Sequence, residues 1–489
     1  MGKQIISATS FVGRHALWSD EQHEAAARLV ARVQEKGLKQ IRFAFADQHG
    51  VLRGKTIAAD ALEEFLPSGC GMASTLLLKD TSHRTVYPVW QKGNAGISGM
   101  SGAADFLLVA DPLTFRELPW AEGTGWLLCD AYDPHGAPVF CSTRWIARQA
   151  LARLAEKGFD YVAGLEIELH IFRMTDPRLG LDDAGQPGTP PDVQLMAQGF
   201  QYLTEQRYDQ YEPVFEAIRQ ACEQLAPPLR TMEVEFGPSQ VEVTSSPLKG
   251  IRIADDLVLL RSMVKQVCRR LGYHATFMCR PALPHIFSSG WHLHQSLSNR
   301  DDGSNAFAPD RAGQAGDAPL SAMGMDFANG ILRHAEASCL LTTPTINGYK
   351  RYRPYSLAPD RVLMGQDNRA AMLRLINGPS RSASRIENRV GEPAANPYLY
   401  LASQILSGLD GIDRPGAWPD LSEAPYETDA PILPRNILAA IEHFAASDFY
   451  REALRQEVVD YLVTLKRAEV DRFFDNVTDW EQREYFDLF

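Results

Sequence analysis

The chain has 489 residues, 45% of them hydrophobic and 22% charged, more than one core of roughly 250–300 residues organises, so two domains are expected. Lysine and arginine total 49 against 61 acidic residues, a net charge of −12, which excludes a general nucleic-acid binder with a basic face. No apolar run approaches the ~20 residues that span a bilayer, Met1-Gly2-Lys3-Gln4 opens no signal peptide, and Cys70, Cys129, Cys141, Cys222, Cys268, Cys279 and Cys339 form no C-x-x-C pair, so a soluble, reduced, cytoplasmic protein without membrane or disulfide framework is expected.

Ser19 and Gln22 have the spacing of a capping box, Ala26, Leu29, Val30 and Val33 share a helical face, and Gly37 suits the helix stop. Gln40–Ile57 reads as a hairpin: Ile41, Phe43 and Phe45 alternate with Arg42, Ala44 and Ala46, and Asp47-Gln48-His49-Gly50 supplies the turn. Gly93–Gly102 is loop, Phe106–Val109 and Trp126–Asp130 are strand-like, and Asp133-Pro134-His135-Gly136 is a turn before an amphipathic helix at Thr143–Lys157. The domain boundary is placed near residue 135. Thr175–Asp192 and Asn299–Pro319 read as mobile surface loops, and the chain from Pro434 onward is helical. The class is α+β, with the small domain first.

Four strands carry the chemistry. In Tyr161–Phe172, Tyr161, Ala163, Leu165, Ile167, Leu169 and Ile171 line one face, and Glu166, Glu168 and His170 the other. Met232, Val234 and Phe236 oppose Glu233 and Glu235, a pattern resumed by Gln240 and Glu242 after Gly237-Pro238-Ser239. His292, His294 and Ser296 oppose Trp291, Leu293 and Leu297, and Arg385, Glu387 and Arg389 oppose Ile386, Asn388 and Val390. A single such strand is most simply a solvated edge. Four polar faces without a lysine point instead to carboxylates and imidazoles sharing one space, which repel unless cations intervene. Glu166, Glu168, Glu235, Glu242 and Glu387 with histidine and no thiolate suit Mg²⁺ or Mn²⁺. Arg351, Arg369, Arg374, Arg385 and Arg389 add partners for carboxylate and phosphate, so phosphoryl transfer involving an anionic substrate is expected. No P-loop, dinucleotide fingerprint or kinase catalytic loop is present, so the nucleotide site is of another type.

These residues resemble the glutamine synthetase superfamily. The motifs run in family order: Glu166-x-Glu168, Glu235-Phe-Gly-Pro-Ser-Gln240-x-Glu242, Gly290-Trp-His292-x-His294-Gln-Ser296, Asn347-Gly-Tyr-Lys-Arg351, Asn368-Arg369, and Arg385-Ile-Glu387-x-Arg389 followed by Pro393-Ala-Ala-Asn-Pro-Tyr398. The resemblance implies a β-grasp domain at 1–135 and a catalytic domain at 136–489 built on a curved antiparallel sheet. It also implies a homo-oligomeric double ring (decamer or dodecamer) with active sites between subunits. Glu168, Glu235 and Glu242 would hold one divalent ion, and Glu166, His292 and Glu387 a second. His294, Ser296, Arg374 and Arg385 would serve ATP, with Arg374 and Arg369 facing the transferring phosphoryl group, and Arg351 and Arg389 would grip glutamate. The implied reaction activates L-glutamate as γ-glutamyl phosphate and transfers it to an amine nitrogen.

The chain departs from ammonia-using members. No Asp-Gly-Ser segment lies between Ser68 and Leu108. Pro354-Tyr355-Ser356-Leu357-Ala358-Pro359 puts Leu357 where the family flap has Glu, and Phe287-Ser288-Ser289-Gly290-Trp291-His292 replaces Asn-Gly-Ser-Gly-Met-His. Losing carboxylates and gaining Phe287, Trp291 and Leu357 favours a larger, neutral amine, aromatic or alkyl. The expected activity is an ATP-dependent γ-glutamyl–amine ligase of amine catabolism. An ammonia-using glutamine synthetase and a non-catalytic assembly remain the alternative readings.

Overall fold

The computed structural model describes residues 7–91, 100–225, 229–309 and 318–489. Most of the Gly93–Gly102 stretch and residues 310–317 of the second expected loop lie outside the described residues. Ser19 and Gln22 form the reciprocal capping box of the helix Asp20–Lys36, and Gly37 ends it in the left-handed conformation.

The first sheet contains β1 (Gln40–Ala46), β2 (Leu52–Ala58), β3 (Cys70–Ala73), β4 (Asp105–Ala110), β5 (Arg116–Glu117) and β6 (Thr124–Tyr132). Its order is β2-β1-β6-β4-β3, with β5 on β6, and only the β1–β6 pair is parallel. Ile41, Phe43 and Phe45 of the hairpin are buried, as their alternation requires. Asp47 shapes the turn by accepting the N–H groups of His49 and Val51 at 2.9 Å each. Gly50 (φ 72°) lets the turn dock: a Cβ there would come within 3.0 Å of Asn396 Cα.

The second sheet holds β7 (Phe159–Asp176), β8 (Asp192–Leu195), β9 (Leu229–Val234), β10 (Gln240–Ser245), β11 (Leu248–Lys249), β12 (Tyr273–Thr276), β13 (Trp291–Asn299), β14 (Met364–Gln366), β15 (Leu373–Ile376) and β16 (Arg385–Asn388). Its main path is β14-β15-β16-β13-β7-β10-β9, antiparallel except for the β14–β15 pair, and β8, β11 and β12 also pair with β7. The long strand β7 is thus the spine of the sheet. The helix expected at Thr143–Lys157 spans Thr143–Glu156 and carries the buried Arg144, which binds Asp111, Asp130 and Asp255 at 2.7–2.9 Å. The helix Pro397–Asp413 is buried along most of its length.

The described first part of the loop expected at Asn299–Pro319, residues 299–309, is not the free surface segment its composition suggests. Phe307 is fully buried, and the Asn305 amide donates to the carbonyl oxygens of Arg381, Ser382 and Ser384. Of the loop expected at Thr175–Asp192, residues 177–191 form the exposed excursion, while Thr175 and Asp176 still belong to β7 and Asp192 to β8. The chain beyond Pro434 forms the expected helices, at Ile437–Ala445, Asp448–Ala453, Gln456–Phe474 and Asp479–Tyr485. No helix among the described residues is long and apolar enough to cross a membrane, and the seven cysteines are free and buried.

Candidate active site

The registers of the second sheet assemble the site. His292 of β13 lies opposite Glu166 of β7, Glu242 of β10 opposite Glu168, and Glu387 of β16 opposite His294 and Arg374. Residues paired directly across strands have Cβ atoms about 4.5–5.5 Å apart, so the alternation of each strand becomes a continuous acidic and imidazole face. Glu166 anchors it: Oε1 is 2.6 Å from His292 Nδ1 and Oε2 is 2.8 Å from His294 Nε2. Two groups offer ligand atoms all within 4.8 Å of one another: Glu166, His292 and Glu387, and Glu168, Glu242 and His292.

The electrostatics of this face call for cations. Burial, then the charge of Glu235, pushes the Glu168 carboxyl up to about 8. Burial and the carboxylates Glu166, Glu168 and Glu235 push Glu242 up to about 10, and burial also raises Glu235. Burial acts to raise Glu387, but Arg389 and the neighbouring imidazoles prevail and hold it at about 2. At Glu166 the hydrogen bonds from His292 and His294 likewise outweigh burial and hold the carboxyl well below its usual range. Burial and the charge of Arg389 lower His292 to about 4, leaving it neutral as a metal-binding imidazole must be. Oxygen donors with an imidazole, and carboxyls strained by mutual repulsion, fit hard divalent ions.

Anion-binding groups border the same face. Arg351 is buried, donating to the Arg389 carbonyl oxygen at 2.7 Å and standing 3.1 Å from His292 Nε2. Arg389 pairs with Glu387 through Nη1, while its buried Nε has no partner among the described residues. Arg374 donates to Glu387 at 2.9 Å and to Asp367. Arg369 is exposed, its charge felt at Tyr202 together with those of Glu235 and Glu242. On the other side of Glu166 a cleft of about 510 Å³ is lined by His294, Ser296, Arg385, Arg230, Thr244 and Ser382, among others. Arg385 Nε donates to His294 Nδ1 at 3.0 Å, joining the cleft to the acidic face.

Other expectations need correction. Glu235 stands outside both ligand groups, just beyond the end of β9, and its Oε2 accepts the N–H of Phe236 at 3.1 Å. Phe236, which the alternation sets opposite Glu235, lies beyond the strand end at Val234 and is exposed. Trp291 does not line an amine pocket: it is 0% exposed, on the face of β13 opposite His292, with its ring 4.6 Å from Tyr400. Leu357 is 68% exposed, and it is its backbone carbonyl that meets the site, accepting from Arg389. Of the three, Phe287 alone stands in an exposed aromatic group, with Phe200 and Phe236. Gln240 was visible only as one more polar residue of a motif. Its Nε2 donates to Glu168 Oε2 at 2.8 Å, and a polar residue in step with Glu242 was the available signal.

Residues 140–485 match the family model for the glutamine synthetase catalytic domain. The chain is 39% identical to the γ-glutamylanilide synthase of an Acinetobacter species, over 98% of this chain and 99% of that one. It is 32% identical to the γ-glutamylethanolamide synthetase GlnA4 of Streptomyces coelicolor, over 94% and 95%. A solved structure described as a GmaS/ADP complex superimposes with a TM-score of 0.78 at 26% identity, covering 94% of this chain and 99% of that one.

Proposed function

The chain belongs to the glutamine synthetase family, and from that premise we propose an ATP-dependent ligase that joins the γ-carboxylate of L-glutamate to an organic monoamine, aromatic or alkyl. The carrying observation is the pair of ligand groups that share His292, set beside a cleft lined by His294, Ser296 and Arg385. The ADP named for the superimposed structure supports a nucleotide in that cleft, and the amides named for the two relatives support an amine acceptor larger than ammonia.

Glu166, His292 and Glu387 would hold one divalent ion and Glu168 and Glu242 another, with Glu235 completing the acidic wall. Bound there, Mg²⁺ or Mn²⁺ would neutralise charge between the phosphates and the attacking carboxylate. Arg351 and Arg389, buried beside them, orient the glutamate carboxylates. Attack of the γ-carboxylate oxygen on the ATP γ-phosphorus releases ADP and leaves γ-glutamyl phosphate. Arg374 and Arg369 face the negative oxygens of that phosphoryl group. The amine nitrogen then attacks the acyl carbon, the C–N bond forms, phosphate leaves and the nitrogen loses a proton. A homo-oligomeric ring with sites shared between subunits, and the division at residue 135, belong to the same reading.

ADP release in the presence of Mg²⁺, glutamate and a panel of amines tests it. Organic amines should support turnover better than ammonia; ammonia outperforming all of them would make the chain a glutamine synthetase instead. A protein that releases no ADP with any of them would be the non-catalytic assembly.

A further inference from the structure

Phe200, Phe236 and Phe287 are used by no step of the reaction above, yet they stand together beside the ligand cluster. Their ring centroids are 5.5, 4.9 and 5.8 Å apart and their planes meet at 89°, 81° and 77°, so each ring presents an edge to another's face. The rings remain 49%, 42% and 38% exposed. Backbone hydrogen bonds gather two of the three segments: the Phe200 N–H donates to the Phe236 carbonyl at 2.8 Å, and the Ser239 N–H to that of Ala197 at 3.2 Å. Glycines permit the close approach, since a Cβ on Gly199 would come within 2.5 Å of Pro238 N and one on Gly237 within 2.9 Å of Phe287 Cβ. Phe200 is held at φ 67°, a left-handed conformation that bulky side chains rarely adopt. A cluster serving only the core would bury its rings; this one holds a strained backbone and leaves the rings open.

The cluster adjoins the reacting groups. Phe236 follows Glu235, and the next N–H, of Gly237, donates to Gln240 Oε1 at 3.0 Å. The Nε2 of that glutamine donates to Glu168 at 2.8 Å. It also donates to Ser288 O at 3.4 Å and Ser289 Oγ at 3.1 Å, the two residues after Phe287. One amide thus ties both aromatic segments to a metal-ligand carboxylate.

We propose that Phe200, Phe236 and Phe287 form the platform that receives the ring of an arylamine acceptor and so select arylamines over small alkylamines; this rests on the ligase reading above. An alkylamine is protonated near neutral pH and needs a carboxylate to attract and deprotonate it, whereas an arylamine is neutral and needs only a surface for its ring. The resemblance puts Leu357, an apolar residue, where ammonia-using members carry a flap glutamate. The three rings offer an incoming ring further edge-to-face contacts. When the arylamine nitrogen attacks the acyl carbon of γ-glutamyl phosphate, the C–N bond forms and the C–O bond to phosphate breaks. The strongly acidic, N-protonated anilide then gives its proton to water.

The test compares kcat/KM for aniline and ethylamine in the wild type and in Phe200→Ala and Phe287→Ala, with Phe200→Leu and Phe287→Leu as variants that keep the apolar volume. The wild type should prefer aniline. The aniline-to-ethylamine ratio should fall at least about tenfold in the alanine variants and less in the leucine variants, mainly through KM for aniline. A ratio that stays put, or a wild type that prefers ethylamine, overturns the platform and leaves the ligase standing. Altered sedimentation with both amines losing equally makes the patch a contact between copies of the chain, which also overturns it. A wild type that uses ammonia alone overturns both readings.

Discussion

Glu392 lies buried behind the site, where it accepts both the N–H and the hydroxyl of Thr345 at 2.7 Å and packs against Gly348, in the segment that leads to Arg351. Burial raises its carboxyl from 4.5 to about 7 against the opposing effect of the Thr345 bonds. A raised carboxyl means that the folded protein holds the proton more tightly than the unfolded chain. Its contribution is therefore full below pH 4.5 and is lost as the pH rises through 7, by about 3 kcal/mol when complete. Glutamine resembles the protonated acid in shape and carries no charge. Glu392→Gln should therefore lose less stability than the wild type between pH 5 and 8, read from urea midpoints in saturating Mg²⁺. Parallel pH profiles for the two proteins would show that Glu392 does not titrate in this range.

At the start of β13, the N–H of Gly290 donates to Glu168 Oε2 at 3.1 Å and its carbonyl accepts the Glu168 N–H at 3.0 Å. A Cβ at Gly290 would come within 2.6 Å of Arg351 Nη2 and 2.9 Å of His292 Nε2. The arginine obstacle is the far end of a flexible side chain, so the strand should survive Gly290→Ala while Arg351 moves. A displacement of an ångström in a positioning group costs up to about a hundredfold. Gly290→Ala should lower kcat/KM for glutamate about ten- to a hundredfold with little change in melting temperature, checked by ADP-release kinetics beside thermal denaturation; full activity would show that Arg351 need not stand where it does. The strands bearing the ligands were legible because side chains alternate along a strand, which placed Glu166, Glu168, Glu242, His292 and Glu387 on one face before any pairing was known. That alternation already set Trp291 opposite His292; the comparison with the family motif misassigned it to the amine pocket. Alternation carries no information past the end of a strand, so it does not set the exposure of Phe236. It says nothing of meetings between distant segments, such as Phe200 with Phe287 or Asn305 with Ser384.

The two sheets are joined by charges that alternation does not reveal. Arg144 gathers Asp111 and Asp130 from the first sheet and its margin and Asp255 from the helix Arg252–Arg270, while Arg261 of that helix donates to the carbonyls of Gly50, Pro393 and Ala395. There each carboxylate has a protein partner. Glu168 and Glu242 face each other across neighbouring strands with too few, so the two negative charges they add to the formal sum of −12 are held there only with help from cations. Without divalent ions both carboxyls keep protons in the folded state that the unfolded chain has already lost, since their folded values of about 8 and about 10 lie above the ordinary 4.5. Stability of the ion-free protein should therefore fall as the pH rises from 6.5 through 8, above the range in which the buried histidines act. His292 and His334, lowered to about 4, and His170, lowered to about 3, act with the opposite sign but only below their ordinary 6.5. Divalent ions held there would bind the deprotonated carboxylates and cancel the repulsion, at a gain of about 2.7 kcal/mol per site when the free ion reaches a hundred times its Kd. The melting temperature should accordingly rise when Mg²⁺ replaces EDTA, and the rise should be larger at pH 8 than at pH 6.5. A rise independent of pH would mean that Glu168 and Glu242 are not the groups the ions neutralise. No rise at either pH would mean that these carboxylates hold no divalent ion.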